Sequence, residues 1–220
     1  MKLRFKRILK MTLLLFVFSL FSSAVFCQPV DQKSIDRMFV FAGNELPKIL
    51  NYIPVNKESD YGFSNRDEFK KAGLGIPYQE YEMGTGFPTG YWRVPVTVNG
   101  EYRALLRLLQ TDGQWRFAGF GGAKLARELA EFEKVVGKGK PTSGRIVRDF
   151  RMYCDFVQFN RQPGKELDGL LYPLESAARV LLNAGVATTV GYEGYPVEKI
   201  RELRETFKEV PGENNPAEVK

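Results

Sequence analysis

The sequence predicts an α+β fold in which an N-terminal helix packs on an antiparallel meander sheet of four or more strands, with additional helices toward the C-terminus. Apolar residues recur at helical spacing over Ser34–Tyr52, which indicates an amphipathic helix. The dipeptides Asn99-Gly100 and Asp112-Gly113 separate three strand-like segments, and such dipeptides are strong local signals for β-hairpins. A helix followed by consecutive hairpins is typical of the α+β class.

The N-terminal helix contains a proline, and a shorter helix follows it. Pro47 removes one backbone donor from the predicted helix, so we expect a kink or a break near Gly43–Asn44. Ser64, with Asp67 three residues later, fits a helix N-terminus and predicts a short helix that ends at about Ala72. Both helices therefore precede the sheet.

Four strands are predicted in the middle of the chain, at Tyr78–Met83, Tyr91–Val98, Glu101–Gln110 and Gln114–Phe120. Burial decides the register of the first hairpin. A two-residue loop at Asn99-Gly100 pairs Val96 with Arg103, whereas a three-residue loop pairs Val96 with Tyr102. The second register makes one face wholly apolar, and because burial determines register, we predict it. The predicted buried face consists of Trp92, Val94, Val96, Ala104, Leu106 and Phe117.

The second half of the chain is predicted to combine helices with one long strand. The expected elements are a helix at 123–136, a linker at 137–144, a strand at 145–159, helices that start at Pro173 and Pro196, and a disordered tail at 211–220. Phe150, Met152, Cys154 and Phe156 alternate along the long strand, so we expect them on one face.

The first 27 residues have the layout of a secretory signal peptide. Lys and Arg residues precede an uncharged apolar run, Met11–Phe26, that is shorter than the roughly 20 residues needed to span a bilayer. Cleavage after Ala24 and cleavage after Cys27 both fit, and the second makes Gln28 the first mature residue. Lipoprotein processing at Cys27 is disfavoured because Phe26, and not a small residue, precedes it. We expect a secreted or periplasmic protein without a stable membrane anchor after leader removal; a retained anchor is the alternative.

Removal of this leader changes the charge of the protein. The full chain has 32 Lys and Arg against 26 Asp and Glu, a net charge of +6. The leader holds five of the cations and none of the acids, so 27 cations and 26 acids remain and the net charge is +1. Nothing in this balance demands a nucleic-acid or membrane partner, and we predict no nucleic-acid partner. The mature chain is long enough to bury one core, and we predict a single domain at 28–210.

The chain contains no histidine. This excludes Ser-His-Asp and Cys-His catalysis and any zinc site that uses imidazole. Cys154 is expected in the core, and a bridge to Cys27 is open only if cleavage precedes Cys27. The segment Gly119–Lys124 half matches a phosphate-binding glycine loop, but Lys124 stands where the third glycine belongs. We therefore predict no catalytic residue, no metal and no cofactor.

Two groups of side chains remain as candidate binding surfaces. The polar face of the meander is expected to be a solvated sheet face, as antiparallel sheets commonly have, and its alternative role is a surface for an anion or an acidic peptide. Its members are Arg93, Arg103, Arg107 and Arg116. The second group consists of aromatic residues that either form a sugar- or peptide-binding groove or cover the first helix. Its members are Tyr61, Tyr78, Tyr81 and Trp92. Glu80 and Glu82 are a carboxylate pair on one strand face that we expect to be exposed to water.

Residues 78–120 resemble two kinds of secreted module. The similarity rests on Trp92–Val96, Asn99-Gly100, Ala104–Leu106 and Asp112-Gly113. These residues are similar to PepSY-type modules of protease propeptides and secreted proteins, and one helix followed by four antiparallel strands resembles the cystatin-like layout. The resemblance implies the layout of the sheet, and it carries over no functional residue.

These observations favour a secreted or periplasmic non-catalytic module that binds a protein or peptide, inhibitor-like or chaperone-like. The alternative is a small-ligand or glycan-binding protein that uses the aromatic groove. A histidine-free hydrolase is the third reading. An exposed edge strand would favour the first, a deep aromatic pocket the second, and convergent buried carboxylates the third.

We expect the leader to be removed by proteolysis on export. N-terminal sequencing of the protein from cells should begin between Val25 and Gln28, because the small residues suited to signal peptidase lie just before these positions. An intact Met1 in a membrane fraction would contradict this prediction.

Overall fold

The computed structural model describes residues 31–137, 144–159, 165–187 and 191–208. Within these ranges the chain forms an α+β structure with a nine-stranded, mostly antiparallel sheet, which confirms the predicted fold class. The predicted leader at 1–27, residues 138–143 of the predicted linker, and the predicted tail at 211–220 lie outside the described residues.

The elements follow one another as a helix, five strands, a helix, three strands, a helix, a short strand and a last helix. The helices are α1 (Gln32–Tyr52), α2 (Ala123–Val135), α3 (Glu175–Asn183) and α4 (Val197–Glu205), with 3₁₀ helices at Glu58–Tyr61 and Arg66–Lys71. The strands are β1 (Ala72–Leu74), β2 (Tyr78–Glu82), β3 (Pro88–Val98), β4 (Glu101–Thr111), β5 (Gln114–Gly121), β6 (Gly144–Asp149), β7 (Cys154–Phe159), β8 (Leu170–Pro173) and β9 (Tyr195–Pro196).

The strands lie in the spatial order β5-β4-β3-β2-β6-β7-β8-β9, and β1 pairs with β3. The β2–β6 pair is parallel and the other described pairs are antiparallel. Strand β2 therefore joins the N-terminal meander to the C-terminal half of the sheet. The first four of its five residues are buried.

Helices cover both faces of the sheet. The face that α1 covers, called here the α1 face, carries Trp92, Val94, Val96, Ala104, Leu106 and Leu108. Further along the same face, α3 and α4 pack on Tyr81, Val147 and Phe156. The opposite face, called here the α2 face, carries Tyr78, Leu105, Ile146 and Val157 beneath α2. Burial of apolar side chains on both faces is the main force that holds these layers together.

Helix α1 runs without interruption through Pro47, so the predicted break near Gly43–Asn44 is not present. Gly43 and Pro47 both lie on the exposed side of the helix. The carbonyl group that loses its partner to the proline is therefore open to water, which lowers the cost of the missing hydrogen bond. In the second helix, the side chain of Asn65, and not that of Ser64, accepts a hydrogen bond from the backbone N–H of Asp67.

The first hairpin has a register that differs from the predicted one by two residues. Val96 pairs with Ala104, not with Tyr102. The loop is the two residues Asn99-Gly100, both with positive φ, and Arg103 forms a bulge. Because side chains alternate with period two, a shift of two residues keeps each on its predicted face.

The residues of the predicted buried face are buried, except at the outer edge of the sheet. Trp92, Val94, Val96, Ala104 and Leu106 are buried. Phe117 pairs with Leu108 across the hairpin closed by Asp112-Gly113, but its side chain is 47% exposed, so its predicted burial is wrong. Its strand is the last one in the sheet, and α1 does not extend over it fully.

The predicted strand at 145–159 is wrong, because the chain folds there into the hairpin of β6 and β7. The Asp149 carboxylate accepts hydrogen bonds from the backbone N–H groups of Arg151 and Met152, which stabilises a turn. Tyr153 has a φ of 53° and completes the reversal. Phe150 consequently lies in the turn and is exposed instead of alternating with the core residues.

Gly62 ends the 3₁₀ helix Glu58–Tyr61 against the backbone of β4 and should not tolerate a side chain. Its φ is +87°, and a Cβ atom there would lie 2.1 Å from the backbone oxygen of Arg103. Gly62→Ala is expected to lower the free energy of unfolding by at least about 2 kcal/mol, from backbone strain and overlap together. Gly43→Ala is the matched control, since a Cβ there has nothing within 4 Å. It should raise stability by up to about 1 kcal/mol in the same urea titration. Equal effects of the two substitutions would contradict this account.

Candidate functional site

A buried carboxylate organises the arginines of the sheet. Glu80 on β2 is 1% exposed. Arg93 on β3 donates from Nε to one carboxylate oxygen at 2.9 Å, and Arg107 on β4 donates from Nη2 to the other at 2.8 Å. The expectation that Glu80 faces water is therefore wrong. Strand β2 lies inside the sheet, and the side chains of Arg93 and Arg107, from the next two strands, pack on the Glu80 carboxylate.

Opposing effects act on the pKa of Glu80. Burial raises the pKa, but attraction to Arg93, Arg107 and Arg148 and the hydrogen bond from Arg107 outweigh it, so the pKa lies below its ordinary value. Burial also disfavours the charged form of Arg93, which lowers the pKa of that side chain, and the Glu80 carboxylate partly offsets this effect. A carboxylate held ionised in this way is a poor general acid, so Glu80 does not have the property that acid–base chemistry at neutral pH requires.

The two arginines retain unused hydrogen-bond donors. The guanidinium carbon of Arg107 lies 3.7 Å from the centre of the Tyr91 ring. Its Nε is buried and has no hydrogen-bond partner within the described residues. Among those same residues, neither Nη of Arg93 nor Nη1 of Arg107 has a hydrogen-bond partner, and these three atoms remain accessible to solvent. The side chains of Arg93 and Arg107 are 11% and 29% exposed, so both are mostly buried.

A third guanidinium lies beside this pair. Arg148 on β6 donates from Nε and Nη2 to the two oxygens of Asp155 at 2.8 and 3.1 Å. Arg148 is close enough to Glu80 to contribute to the lowered pKa of that carboxyl. The group therefore contains three guanidinium groups and two carboxylates, and its net charge is positive. We call Glu80, Arg93, Arg107, Arg148 and Asp155 the arginine cluster.

The four predicted arginines do not form one surface. Arg93 and Arg107 pair across β3 and β4 and meet at Glu80. Arg103, at the bulge, instead forms ion pairs with Glu68 at 3.0 Å and Glu101 at 2.8 Å. Arg116 is exposed on β5, where it pairs with Leu109 on the same face as Arg107.

The predicted aromatic residues also separate. Tyr78, Tyr81 and Trp92 are buried, and Tyr78 and Tyr81 lie on opposite faces of the sheet. Tyr61 is half-buried and stacks on Phe120 with ring centres 5.9 Å apart. These four residues thus line no common groove in this structure, and Trp92 covers α1, as the alternative reading expected.

One of these tyrosines forms a second polar cluster. The hydroxyls of Tyr78 and Tyr102 both donate to the carboxylate of Glu133 on α2. Burial, together with the Glu133 carboxylate, raises the pKa of both hydroxyls. These interactions attach α2 to the sheet.

Strand β5 ends the sheet on one side. It pairs with β4, and no strand among the described residues pairs with its other edge. Gln114, Arg116, Phe117 and Ala118 are exposed along it. The opposite end of the sheet, β9, has two residues, one of which is a proline. Short strands and prolines protect a sheet edge against pairing, so β5 is the edge open to another chain.

Hydrogen bonds to α1 hold β5 and the adjacent β4 in place on the α1 face. Trp115 is nearly buried there and donates from Nε1 to the backbone oxygen of Ser34 on α1 at 3.2 Å. Gln110 on β4 donates to the hydroxyl of the same serine at 2.7 Å. On the α2 face, Gly119 pairs with Arg107, and a Cβ atom at Gly119 would have no other atom within 4 Å.

The remaining chemical candidates contribute no site. Cys154 is buried, as expected, and burial, with Asp149 and Asp155, raises the pKa of its thiol. No three Asp, Glu or Cys side chains of the described ranges come together as metal ligands. No helix in the described part of the chain has the length and apolar character needed to cross a membrane.

No family model, curated protein or solved structure matches this chain in the comparisons with known proteins. The similarity to PepSY-type and cystatin-like modules therefore stays a prediction.

The organising role of Glu80 is not apparent from the sequence. Two glutamates at alternate strand positions usually face water, so Glu80 and Glu82 are predicted to form a surface pair. The neighbouring Tyr78 and Tyr81 were the available signal, since aromatic residues flanking a charge indicate a strand enclosed on both faces. The partners, Arg93 and Arg107, come from other strands, and only the sheet order brings them to Glu80.

The ion pairs of the arginine cluster should make a contribution to the free energy of unfolding that depends on pH. Glu80→Gln should lower the free energy of unfolding by about 3 kcal/mol or more at pH 7, because it leaves two buried guanidinium groups without their carboxylate. The pKa of Glu80 is lower in the folded chain, so this contribution is complete above the carboxyl pKa of the unfolded chain. It disappears as the pH falls through the folded-state pKa, and the difference between wild type and variant should shrink.

Glu82→Gln is the control, because Glu82 is half-buried at the end of the same strand. It should cost less than about 1 kcal/mol in the same urea titrations. A constant difference between wild type and Glu80→Gln from pH 7 to acid pH would show that the ion pairs do not stabilise the fold.

Proposed function

We propose that this protein is a secreted or periplasmic non-catalytic module that binds a protein or peptide partner as an added strand on β5. The observation that carries the proposal is the open edge of β5, in a sheet whose other end is the two-residue β9. An extended peptide can pair its backbone with the free N–H and C=O groups of such an edge, and this is a recurring mode of peptide recognition.

The two sides of β5 differ, and this difference supports selective binding. Phe117 is half exposed on the α1 face, whereas Arg116 lies on the α2 face. An added strand would place alternate side chains next to these two residues. Pairing within the edge supplies affinity through the backbone, and the neighbouring side chains supply selectivity.

A second copy of this chain fits the edge less well than a different partner. Strand β5 has a bulge at Ala118 and a positive charge at Arg116. Bulges and charged residues on edge strands oppose edge-to-edge association of identical chains. An inhibitor-like or chaperone-like module needs this combination, because it must accept a foreign strand without polymerising.

The part of the structure that presents β5 consists of α1 packed across β3, β4 and β5. We propose that this part corresponds to the cystatin-like layout, and that the C-terminal strands and helices are additions to it. Export, inferred from the leader, would place the module among secreted or periplasmic proteins, where unfolded or extended partner segments are accessible.

Binding should protect β5 from solvent. Linear peptides selected against the purified protein are expected to lower hydrogen exchange at the backbone amides of residues 114–118, because an added strand bonds to the groups on the open edge. Backbone amides of β9 serve as the internal control and should be unchanged. Protection confined to helix surfaces, or peptide turnover that is lost in Glu80→Gln, would overturn the proposal.

A further inference from the structure

We propose that a cavity between α2 and the β3–β4 hairpin binds an alkylammonium group, with Glu133 as its counter-ion and the Tyr102 ring as one wall. The group belongs either to a free amine or to a lysine side chain. The residues that line this cavity lie outside β5, so the site is separate from the proposed peptide-binding edge.

The cavity has the size of a small-molecule site. Its volume is about 390 Å³, within the range of roughly 300–1,000 Å³ that is usual for ligand pockets. Its walls come from the connection between β1 and β2, the β3–β4 hairpin and the C-terminal half of α2. They include Gly75, Ile76, Gly100, Tyr102, Ala130 and Glu133.

Glu133 is a partly buried carboxylate whose charge has no cationic partner in the described part of the chain. Its donors are neutral: the Tyr102 hydroxyl lies 2.9 Å from both carboxylate oxygens, and the Tyr78 hydroxyl donates to Oε1. Burial and the carboxylate raise the pKa of both tyrosines, so their hydroxyls keep their protons. The adjacent Lys134 is exposed and pairs with Glu131 at 3.9 Å. A carboxylate that is partly removed from water is costly without a counter-ion, and a cation in the cavity would reduce that cost.

The carboxylate also has acceptor capacity left for a ligand. An ionised carboxylate offers about four lone-pair positions, and the two tyrosine donors use only part of them. An ammonium group carries three donors and no acceptor, so it complements a group that only accepts. Hydrogen bonds between two charged groups are stronger than those between neutral groups, which favours an amine over an alcohol of the same shape.

The other walls suit an ammonium group on an alkyl chain. A Cβ atom at Gly75 would lie 3.3 Å from Cε1 of Tyr102, so glycine at this position leaves that side of the ring free of a side chain. Aromatic rings attract cations through their faces, and Ile76 and Ala130 offer apolar surface to methylene groups. An anion would be repelled by Glu133, and a neutral polyol would leave its charge unpaired.

The test compares two ligands of nearly equal shape, butylamine, which is protonated at neutral pH, and 1-butanol. Both are titrated into the ¹⁵N-labelled full chain, and chemical shifts of the backbone amides of Gly75 and Gly100 are followed. Butylammonium should saturate these shifts with an affinity at least about tenfold higher than that of butanol. This comparison uses the wild-type chain and does not depend on the folding of a variant.

Two substitutions then separate charge from shape. Glu133→Gln should reduce the affinity for butylammonium to that for butanol, while its amide oxygen can still accept from the tyrosines. Glu131→Gln is the matched control, because it removes the same charge from an exposed position on the same helix, and it should leave the preference intact. Ala130→Leu keeps the carboxylate and fills part of the cavity, so it should weaken binding of both ligands.

The outcomes also identify the source of the ammonium group. A capped lysine, Nα-acetyl-lysine methylamide, that binds as butylammonium does would assign the site to lysine side chains, and one that fails to bind would restrict it to free amines. Equal affinity for butylammonium and butanol, or saturation by neither, would overturn the proposal. An equal loss of preference in Glu133→Gln and Glu131→Gln would do the same, because it would show only diffuse attraction to an acidic helix.

Discussion

The ion pairs between Glu80 and two arginines are the interaction on which the centre of this structure depends. A carboxylate in the middle strand of a nine-stranded sheet is costly to bury unless its charge is neutralised and both oxygens accept hydrogen bonds. Arg93 and Arg107 meet that requirement from the two strands of the first hairpin. The demand is geometric as well as electrostatic, because a hairpin shifted by one residue would turn Arg93 away from Glu80.

This constraint explains why a polar cluster lies within a sheet that is apolar on both faces. Helix α2 covers the part of its face around Leu105 and Ile146, and α1 covers the opposite face of the meander. The Arg107 side chain extends from β4 over Tyr91 of β3 to Glu80 on β2, so the cluster lies inside the sheet and not at its β5 edge. Stability at the centre of the sheet and the proposed binding role at the β5 edge therefore depend on different residues.

Several parts of the fold were predictable from the sequence. Where a prediction was wrong, the cause is a local feature of the backbone. Asn99-Gly100 and Asp112-Gly113 identified both hairpins, since these dipeptides favour the positive φ values of tight turns. The bulge at Arg103 was not predictable, because it changes the register without changing which side chains are buried. The turn between β6 and β7 depends on hydrogen bonds to the Asp149 side chain and lacks glycine, so periodicity suggested one strand.

The sequence alone determined the class of the fold, the inward positions of Trp92, Val94 and Val96, and the absence of histidine-based chemistry, because alternation, turn residues and composition are local properties of a chain. The tertiary structure decided which arginines act together. Arg93 and Arg107 meet at Glu80 because of the order of the strands, while Arg103 is drawn to Glu68. It also decided which edge is open, since that depends on the strands that pair and on those that remain without a neighbour. Such information lies in contacts between residues far apart in the chain, and no local pattern encodes it.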